Sequence, residues 1–351
     1  MFHLILTACI AANSGQCLDL LLPNGDAATQ QDCIAAAQRI SGEWIAAQPG
    51  LTATKATCRE TTEVETVDLE EVAPGIWVRR GIIAQIEAEN RGRIANLSVV
   101  IGSDSVAVID AGASRAEGQA LYAAIRRLTM KPISHLVLTH MHPDHVLGAS
   151  VFAEAGATVM ASAKLPPALE ARSATYLENF DRILGAREMI GTGITLPVAL
   201  VEESDRIDLG DRVLELRAVP TAHTDNDLMV RDETTGTLFT GDLVFRGLTP
   251  VVDGSINGWL NWLAEPPAPA GVIVPGHGEI AQNWQEAVAK QTDLLVQLRD
   301  SVRKSIASGQ PMSVAVPEIV NQLQGLADGW TDFPETIARD ATAAYKELEW
   351  E

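Results

Sequence analysis

The stretch Ile133-Ser134-His135-Leu136-Val137-Leu138-Thr139-His140-Met141-His142-Pro143-Asp144-His145 decides the fold. Ile133–Thr139 reads as a buried β-strand, and a dense polar cluster follows it without a linker. In extended backbone alternate side chains share a face, so His140 and His142 are able to grip one ion together. The turn at Pro143 then swings Asp144 and His145 toward a second position a few ångströms away. Such a cluster is costly to bury directly after core-type residues unless a cation satisfies it. Imidazole and carboxylate are the ligand set of zinc, and also of iron or manganese.

Three more candidates lie downstream. His223 follows the strand-like Leu216–Val219, Asp242 sits in Thr240-Gly241-Asp242, and His277 in Pro275-Gly276-His277-Gly278. Singly each reads as an ordinary loop or turn residue. Together they matter, because each lies just past the C-terminal end of a predicted strand, where sites of mixed α/β folds gather. With five histidines committed this way, a Ser-His-Asp triad is disfavoured. Of the other two, His135 reads as a satisfied core histidine and His3 falls in an N-terminal strand.

Outward from this centre, the chain divides at about residue 62. Residues 1–62 read as a small β-α-β domain: a strand over Phe2–Cys9, a helix over Gln30–Gln48 stopped by Pro49-Gly50, and a strand over Leu51–Cys58. The polar run Arg59–Glu65 is the linker candidate. Residues 63–351 form the second unit. Its predicted strands are Ile76–Arg80, Asn96–Ile101, Ser105–Ile109, Thr158–Ala161, Val213–Val219, Leu228–Arg231, Thr237–Thr240 and Gly271–Val274. Helices are expected from the Ser114 cap to Leu128, over Pro167–Ile190, and through most of the chain from Asn283. Strands with interleaved helices in each half predict two packed sheets with helices outside, an α/β (α+β) architecture.

All four cysteines, Cys9, Cys17, Cys33 and Cys58, fall in the first unit. An even number confined to one small segment reads as a disulfide framework formed in an oxidising compartment. Cys9 and Cys58 both end predicted strands, so Cys9–Cys58 and Cys17–Cys33 is the expected pairing. Met1–Ala12 is apolar enough for a short signal, but no Lys or Arg precedes Arg39, and a buried strand is the preferred reading. The net charge of −20 opposes nucleic-acid or anionic membrane-surface partners. No apolar run approaches the roughly 20 residues of a membrane span.

The order THxHxDH, His, TGD, PGHG resembles the metallo-β-lactamase superfamily over about Val67–Asn283. That resemblance implies an αββα sandwich. It further implies that His140, His142 and His223 hold one metal, that Asp144, His145 and His277 hold a second, and that Asp242 bridges them. Asp110 matches the superfamily's early aspartate, which supports the ligands from behind. The implied chemistry is two Zn²⁺ per chain (Fe or Mn being the other candidates) and a bridging hydroxide oriented by Asp144. Asp242 stands where true β-lactamases generally carry Cys or Ser, which points to a small ester, lactone, thioester or amide as substrate. A mononuclear iron sulfur dioxygenase and a metal-binding accessory protein are the other readings.

The Cys-bearing N-terminal unit, the His223-Thr224-Asp225-Asn226-Asp227 turn, the Asp253–Trp259 segment and the tail from Ala338 to Glu349 are similar to the zinc metallohydrolases of the quinoprotein relay system. Their setting is the periplasm, beside pyrroloquinoline-quinone-dependent dehydrogenases and c-type cytochromes. Asp225, Arg246 and Asp253 are expected near the mouth of the site as substrate contacts.

Overall fold

The computed structural model describes residues 1–265 and 271–351. The chain opens with β1 (Phe2–Ile10), β2 (Asn13–Ala27), α1 (Gln30–Ala46) and β3 (Leu51–Glu60). They form a three-stranded antiparallel sheet in the order β2-β1-β3 with α1 against it. The apolar stretch at the N-terminus is the central strand. The expected β-α-β unit is therefore a β-β-α-β unit. β2 lies at a sheet edge, which tolerates Pro23, and its register against β1 shifts across Pro23–Asp26. Gly25 sits in that irregularity, where a Cβ would come within 2.5 Å of the Leu4 side chain.

The disulfides differ from the expected pairing. They are Cys9–Cys17 and Cys33–Cys58. Cys9 and Cys17 are direct cross-strand partners in the β1–β2 hairpin, and Cys33 on α1 meets Cys58 on the adjoining β3. The sequence reading lacked β2, and without β2 the hairpin partner of Cys9 is invisible.

The second sheet has seven strands: β4 (Glu70–Ala73), β5 (Ile76–Arg79), β6 (Leu97–Ile101), β7 (Val106–Ile109), β8 (Ile133–Val137), β9 (Thr158–Ser162) and β10 (Ala199–Val201). Their spatial order is β10-β9-β8-β7-β6-β5-β4, antiparallel through β4–β7 and parallel from β7 to β10. Between these strands run α2 (Arg115–Leu128), α3 (Pro143–Val146), α4 (Ala149–Glu154) and α5 (Leu165–Leu184). The Ser114 hydroxyl accepts from the Glu117 backbone N–H and starts α2 as expected. α5 is shorter than the predicted Pro167–Ile190 helix at its C-terminal end, because Gly185 leaves helical geometry at φ 87°.

The third sheet is β11 (Ser204–Asp208), β12 (Val213–Ala218), β13 (Leu228–Asp232), β14 (Leu238–Phe245) and β15 (Ile273–His277), in that spatial order, with α6 (Ile256–Ala264) before β15. The chain ends with α7 (Trp284–Ala307), α8 (Met312–Leu323) and α9 (Phe333–Leu348).

These two sheets face each other. Val100, Ala107, Ile109 and Val137 of one meet Leu214, Leu216, Val230 and Phe239 of the other. Along β7, Val106 and Val108 point away from this layer into a core shared with Leu121 and Phe152 of the outer helices. Burial on both faces is why VAVI is apolar throughout rather than alternating. A separate core packs α6–α9 on the outside of the five-stranded sheet. The result is the αββα sandwich.

The N-terminal sheet docks on α2 rather than hanging from a linker. Leu4, Leu20 and Trp44 share a core with Ala116 and Ile190. Buried Arg115 forks onto Glu154 at 2.7 and 2.6 Å, and Trp44 Nε1 donates to the same carboxylate at 3.0 Å. His3 finds Asp26 and Thr61, consistent with a structural histidine.

Candidate metal centre

β8 ends at Val137, and the Leu138 N–H still pairs with Met160 on β9. The chain then leaves the sheet, so Thr139–His142 runs along its C-terminal edge. Asp110, one residue past β7, holds this exit. It accepts from the Thr139 backbone N–H and hydroxyl, both at 2.8 Å, and from His145 Nδ1 at 2.8 Å. Pro143 occupies the first turn of α3, where its missing N–H costs nothing, and brings Asp144 and His145 inward. From the opposite sheet come His223 beyond β12, Asp242 within β14 and His277 at the end of β15. Gly276 permits this convergence, since a Cβ there would lie 2.0 Å from Asp242 Oδ1.

The seven side chains form two groups, His140, His142, His223 and Asp242, and Asp144, His145 and His277; within each group the ligand atoms lie within 4.8 Å of one another. Asp242 stands between them. Its Oδ2 is 3.5 Å from His140 Nε2 and 3.5 Å from His223 Nε2, while Oδ1 is 3.2 Å from His145 Nε2 and 3.3 Å from His277 Nε2. Asp144 Oδ2 lies 3.4 Å from His277 Nε2.

The outer nitrogen of every one of these imidazoles is tied to the protein. His223 Nδ1 donates to the Val251 carbonyl at 2.7 Å, and His277 Nδ1 to the Ile94 carbonyl at 3.0 Å. A carbonyl only accepts, so the proton of each neutral ring lies outside and the Nε2 lone pair points inward. His140 Nδ1 meets the Thr139 hydroxyl at 3.0 Å, His145 Nδ1 meets Asp110, and His142 Nε2 meets Asp253 Oδ2 at 3.0 Å. His142 therefore turns Nδ1 inward, 3.0 Å from His223 Nε2. Two facing ring nitrogens and the buried, unpartnered His140 Nε2 and Asp242 Oδ1 are a set of acceptors with no protein donor. A cation satisfies such a set, so these residues fit a metal.

The electrostatics agree. Burial drives His140 well below its ordinary pKa and His223 to about 3, keeping both neutral and available as ligands. Burial also pushes the Asp242 carboxyl up, but His277, His145 and His140 outweigh it and hold it well below the usual range. At His145 and His277 burial lowers the pKa, and the Asp242 and Asp144 carboxylates more than reverse that. An entering cation thus competes with protons at this end of the site.

Of the three expected substrate contacts, Asp253 alone touches the cluster, through His142. Its carboxylate is raised by burial but held well below the usual range by His142 and by Arg172, which forks onto it from α5. Asp225 is exposed and accepts from Asn226 Nδ2. Arg246 pairs with Glu286 and lines a different cavity, beside Ile83 and Trp330. Arg172 escaped the sequence reading, because one arginine among the polar residues of an amphipathic helix carries no signal. His135 meets Ser134 and takes no part.

A family model described as the Metallo-beta-lactamase superfamily matches residues 90–296. The chain belongs to that superfamily. Among solved structures it is similar to a stereoselective inverting sec-alkylsulfatase, Pisa1, from Pseudomonas sp., at 17% identity and a TM-score of 0.58, covering 80% of this chain and 50% of that one. It is likewise similar to a metallo-beta-lactamase from Pontibacter korlensis, at 18% identity and a TM-score of 0.51, covering 66% of this chain and 99% of that one. The chain thus spans about half the length of the sulfatase and nearly all of the lactamase. At these identities the likeness is one of fold. No curated protein matches the chain.

Proposed function

We propose that the protein is a dinuclear zinc hydrolase of a small ester, lactone, thioester or amide, working in the periplasm beside a pyrroloquinoline-quinone-dependent oxidation system. One observation carries the two-metal reading: Asp242 presents one carboxylate oxygen to each ligand group, and each inward nitrogen is fixed by a partner behind it. His140, His142 and His223 would hold one ion, Asp144, His145 and His277 the other, with Asp242 shared. Two bound zinc ions supply a hydroxide nucleophile at neutral pH and polarise the bond under attack.

The chain's own residues do the rest. A cavity of about 190 Å³ opens over the ligands, which suits a small substrate. Ile86, Ile94, Phe245, Leu248 and Val251 line it and exclude bulk water, strengthening every charge interaction within. Asp144 lines the same cavity, where its carboxylate is placed to take the proton of an attacking water and pass it to the leaving group. Asp110 and Asp253 keep His145 and His142 in the metal-binding tautomer.

The quinoprotein link is supported by where its motif residues fall. In the 223–227 turn Thr224 bonds Asp227, and in the 253–259 segment the Asp253 N–H donates to the His223 carbonyl. The Trp259 ring packs 5.4 Å from that of His223. All serve one wall of the site. The two disulfides support an oxidising compartment, and among the described residues no helix is long and apolar enough to cross a membrane.

Metal analysis of protein purified without added metal, followed by an ester, lactone, thioester and amide panel, tests the proposal. Two zinc per chain with turnover is expected. One iron with oxygen consumption would replace the reading by a dioxygenase, and protein that takes up no metal would overturn it. Quinoprotein dehydrogenase activity in cells lacking this protein tests the relay link; unchanged activity would remove it.

A further inference from the structure

The cavity over the metal ligands has one cationic side chain on its wall, Arg339. It comes from α9, beyond the segment matched to the superfamily. Most arginines of this acidic chain are spent on carboxylates or carbonyls, but among the described residues Arg339 makes no ion pair or side-chain hydrogen bond, and it is exposed. Its position is nevertheless built. The neighbouring Asp340 is buried and accepts from the Val252 N–H at 2.9 Å, inside the segment that carries Val251 and Asp253. Two turns on, Glu347 accepts from the Ser255 hydroxyl and the Ile256 N–H, closing the N-terminus of α6. α9 is thus pinned at two points to the loop that supports His223 and His142, and this fixes the backbone from which Arg339 reaches the cavity wall.

An arginine held at a rim without a partner is a receptor for an anionic group, because its planar fork matches a carboxylate's two oxygens. The chain's net charge of −20 repels anions at a distance, so a local guanidinium is what such a substrate would need on arrival. Arg172, which reaches the site through Asp253, is already neutralised by that carboxylate. Ile86, Ile94, Phe245, Leu248 and Val251 line the same cavity as Arg339 and the ligands, an apolar surface that suits a short hydrocarbon link.

We propose that Arg339 is a specificity residue, and that the substrate of the hydrolytic site carries a carboxylate a few carbons from the bond that is cleaved. This rests on the hydrolase reading above. The test is the ratio of kcat/KM for 4-nitrophenyl hemiglutarate to that for 4-nitrophenyl valerate, in the zinc-loaded native protein and in Arg339→Ala and Arg339→Lys. The native ratio is expected to favour the hemiglutarate through KM. It should fall roughly ten- to hundredfold in Arg339→Ala, the range of a charge-assisted hydrogen-bonded pair, and recover partly in Arg339→Lys. A ratio equal in native and Arg339→Ala protein overturns the proposal, whatever the absolute rates. If neither ester is cleaved, the ester reading fails but the residue is still tested by calorimetry with glutarate and valerate. Extra affinity for glutarate that disappears in Arg339→Ala supports the assignment, and equal binding by both proteins overturns it.

Discussion

The two ends of the molecule are held together in opposite ways. The N-terminal sheet is small, has one helix, and is closed by two covalent bonds, Cys9–Cys17 and Cys33–Cys58. The sandwich has cores on both sides of each sheet, contains no cysteine, and gathers five histidines and two aspartates into one cluster where the two sheets meet. A segment of about 60 residues buries too little apolar surface to fold firmly alone and gains from cross-links. The sandwich has surface enough, and it spends the excess on a concentration of buried charge that only a ligand relieves. One region is closed by disulfides, and the other carries a cluster that fits a metal.

Asp144→Asn breaks the catalytic side of that contrast most severely. Turnover is expected to fall by about a thousandfold or more, with the far-ultraviolet circular dichroism unchanged, because the role proposed for the residue is in the reaction and at one ion, and it packs in no apolar core. Turnover within tenfold of native would refute the role given to Asp144. On the other side, removing Cys33–Cys58 by a double alanine change should cost about 3 kcal/mol of stability in denaturant titration, and Cys9–Cys17 about 1 kcal/mol less, since its loop is shorter. Equal losses, or a matching loss of zinc, would mean that the two regions are not separately fastened.

Asp340→Asn sharpens the comparison by asking what buried charge costs the sandwich. Burial lifts the Asp340 carboxyl from 3.8 to about 7, while its Oδ1 accepts from Val252 and Oδ2 has no partner. Below pH 4 the folded and unfolded chains both carry the proton and no penalty arises. Between pH 4 and 7 the unfolded chain loses it first, so stability declines, and above pH 7 the penalty is constant. Asn keeps the acceptor without the charge. Its advantage in thermal unfolding should therefore grow from pH 4 to 7 and reach roughly 4 kcal/mol. A pH-independent difference would show that Asp340 does not titrate there. The smallest effect is expected at Asp253→Ala, which frees His142 Nε2 and releases Arg172. Zinc affinity should drop roughly 10–100-fold by competition with a chelator dye, and an unchanged affinity would assign Asp253 to substrate alone.

The sandwich and the clustering of the seven candidate ligands were legible in the sequence because both leave local marks: core strands are apolar throughout, and the candidate ligands sit in short motifs. The strands that escaped are edges. β2, β4, β10 and β11 all end their sheets. Edge strands carry charge, proline or little length to avoid pairing with other chains, and those devices erase the alternation a reader looks for. Ser204-Asp205-Arg206-Ile207-Asp208 reads as a loop for that reason. The disulfide pairing failed for the same cause, since it depended on β2. Arg172 and Arg339 were hidden differently: each is one cation among the polar residues of a helix, and only the fold reveals that one faces Asp253 and the other the cavity.

Asp110 carries a further consequence. It is a non-glycine residue at φ 62°, a left-handed backbone conformation that L-residues enter at a cost of about 1–2 kcal/mol. Glycine there would relax the chain and asparagine would tolerate it, yet neither could accept from Thr139 and His145 at once as the carboxylate does. The molecule keeps a strained turn in its own core so that the strand leaving β8 arrives in register and His145 faces inward. A variant at this position that folds more stably and binds zinc less well would be the signature of that exchange.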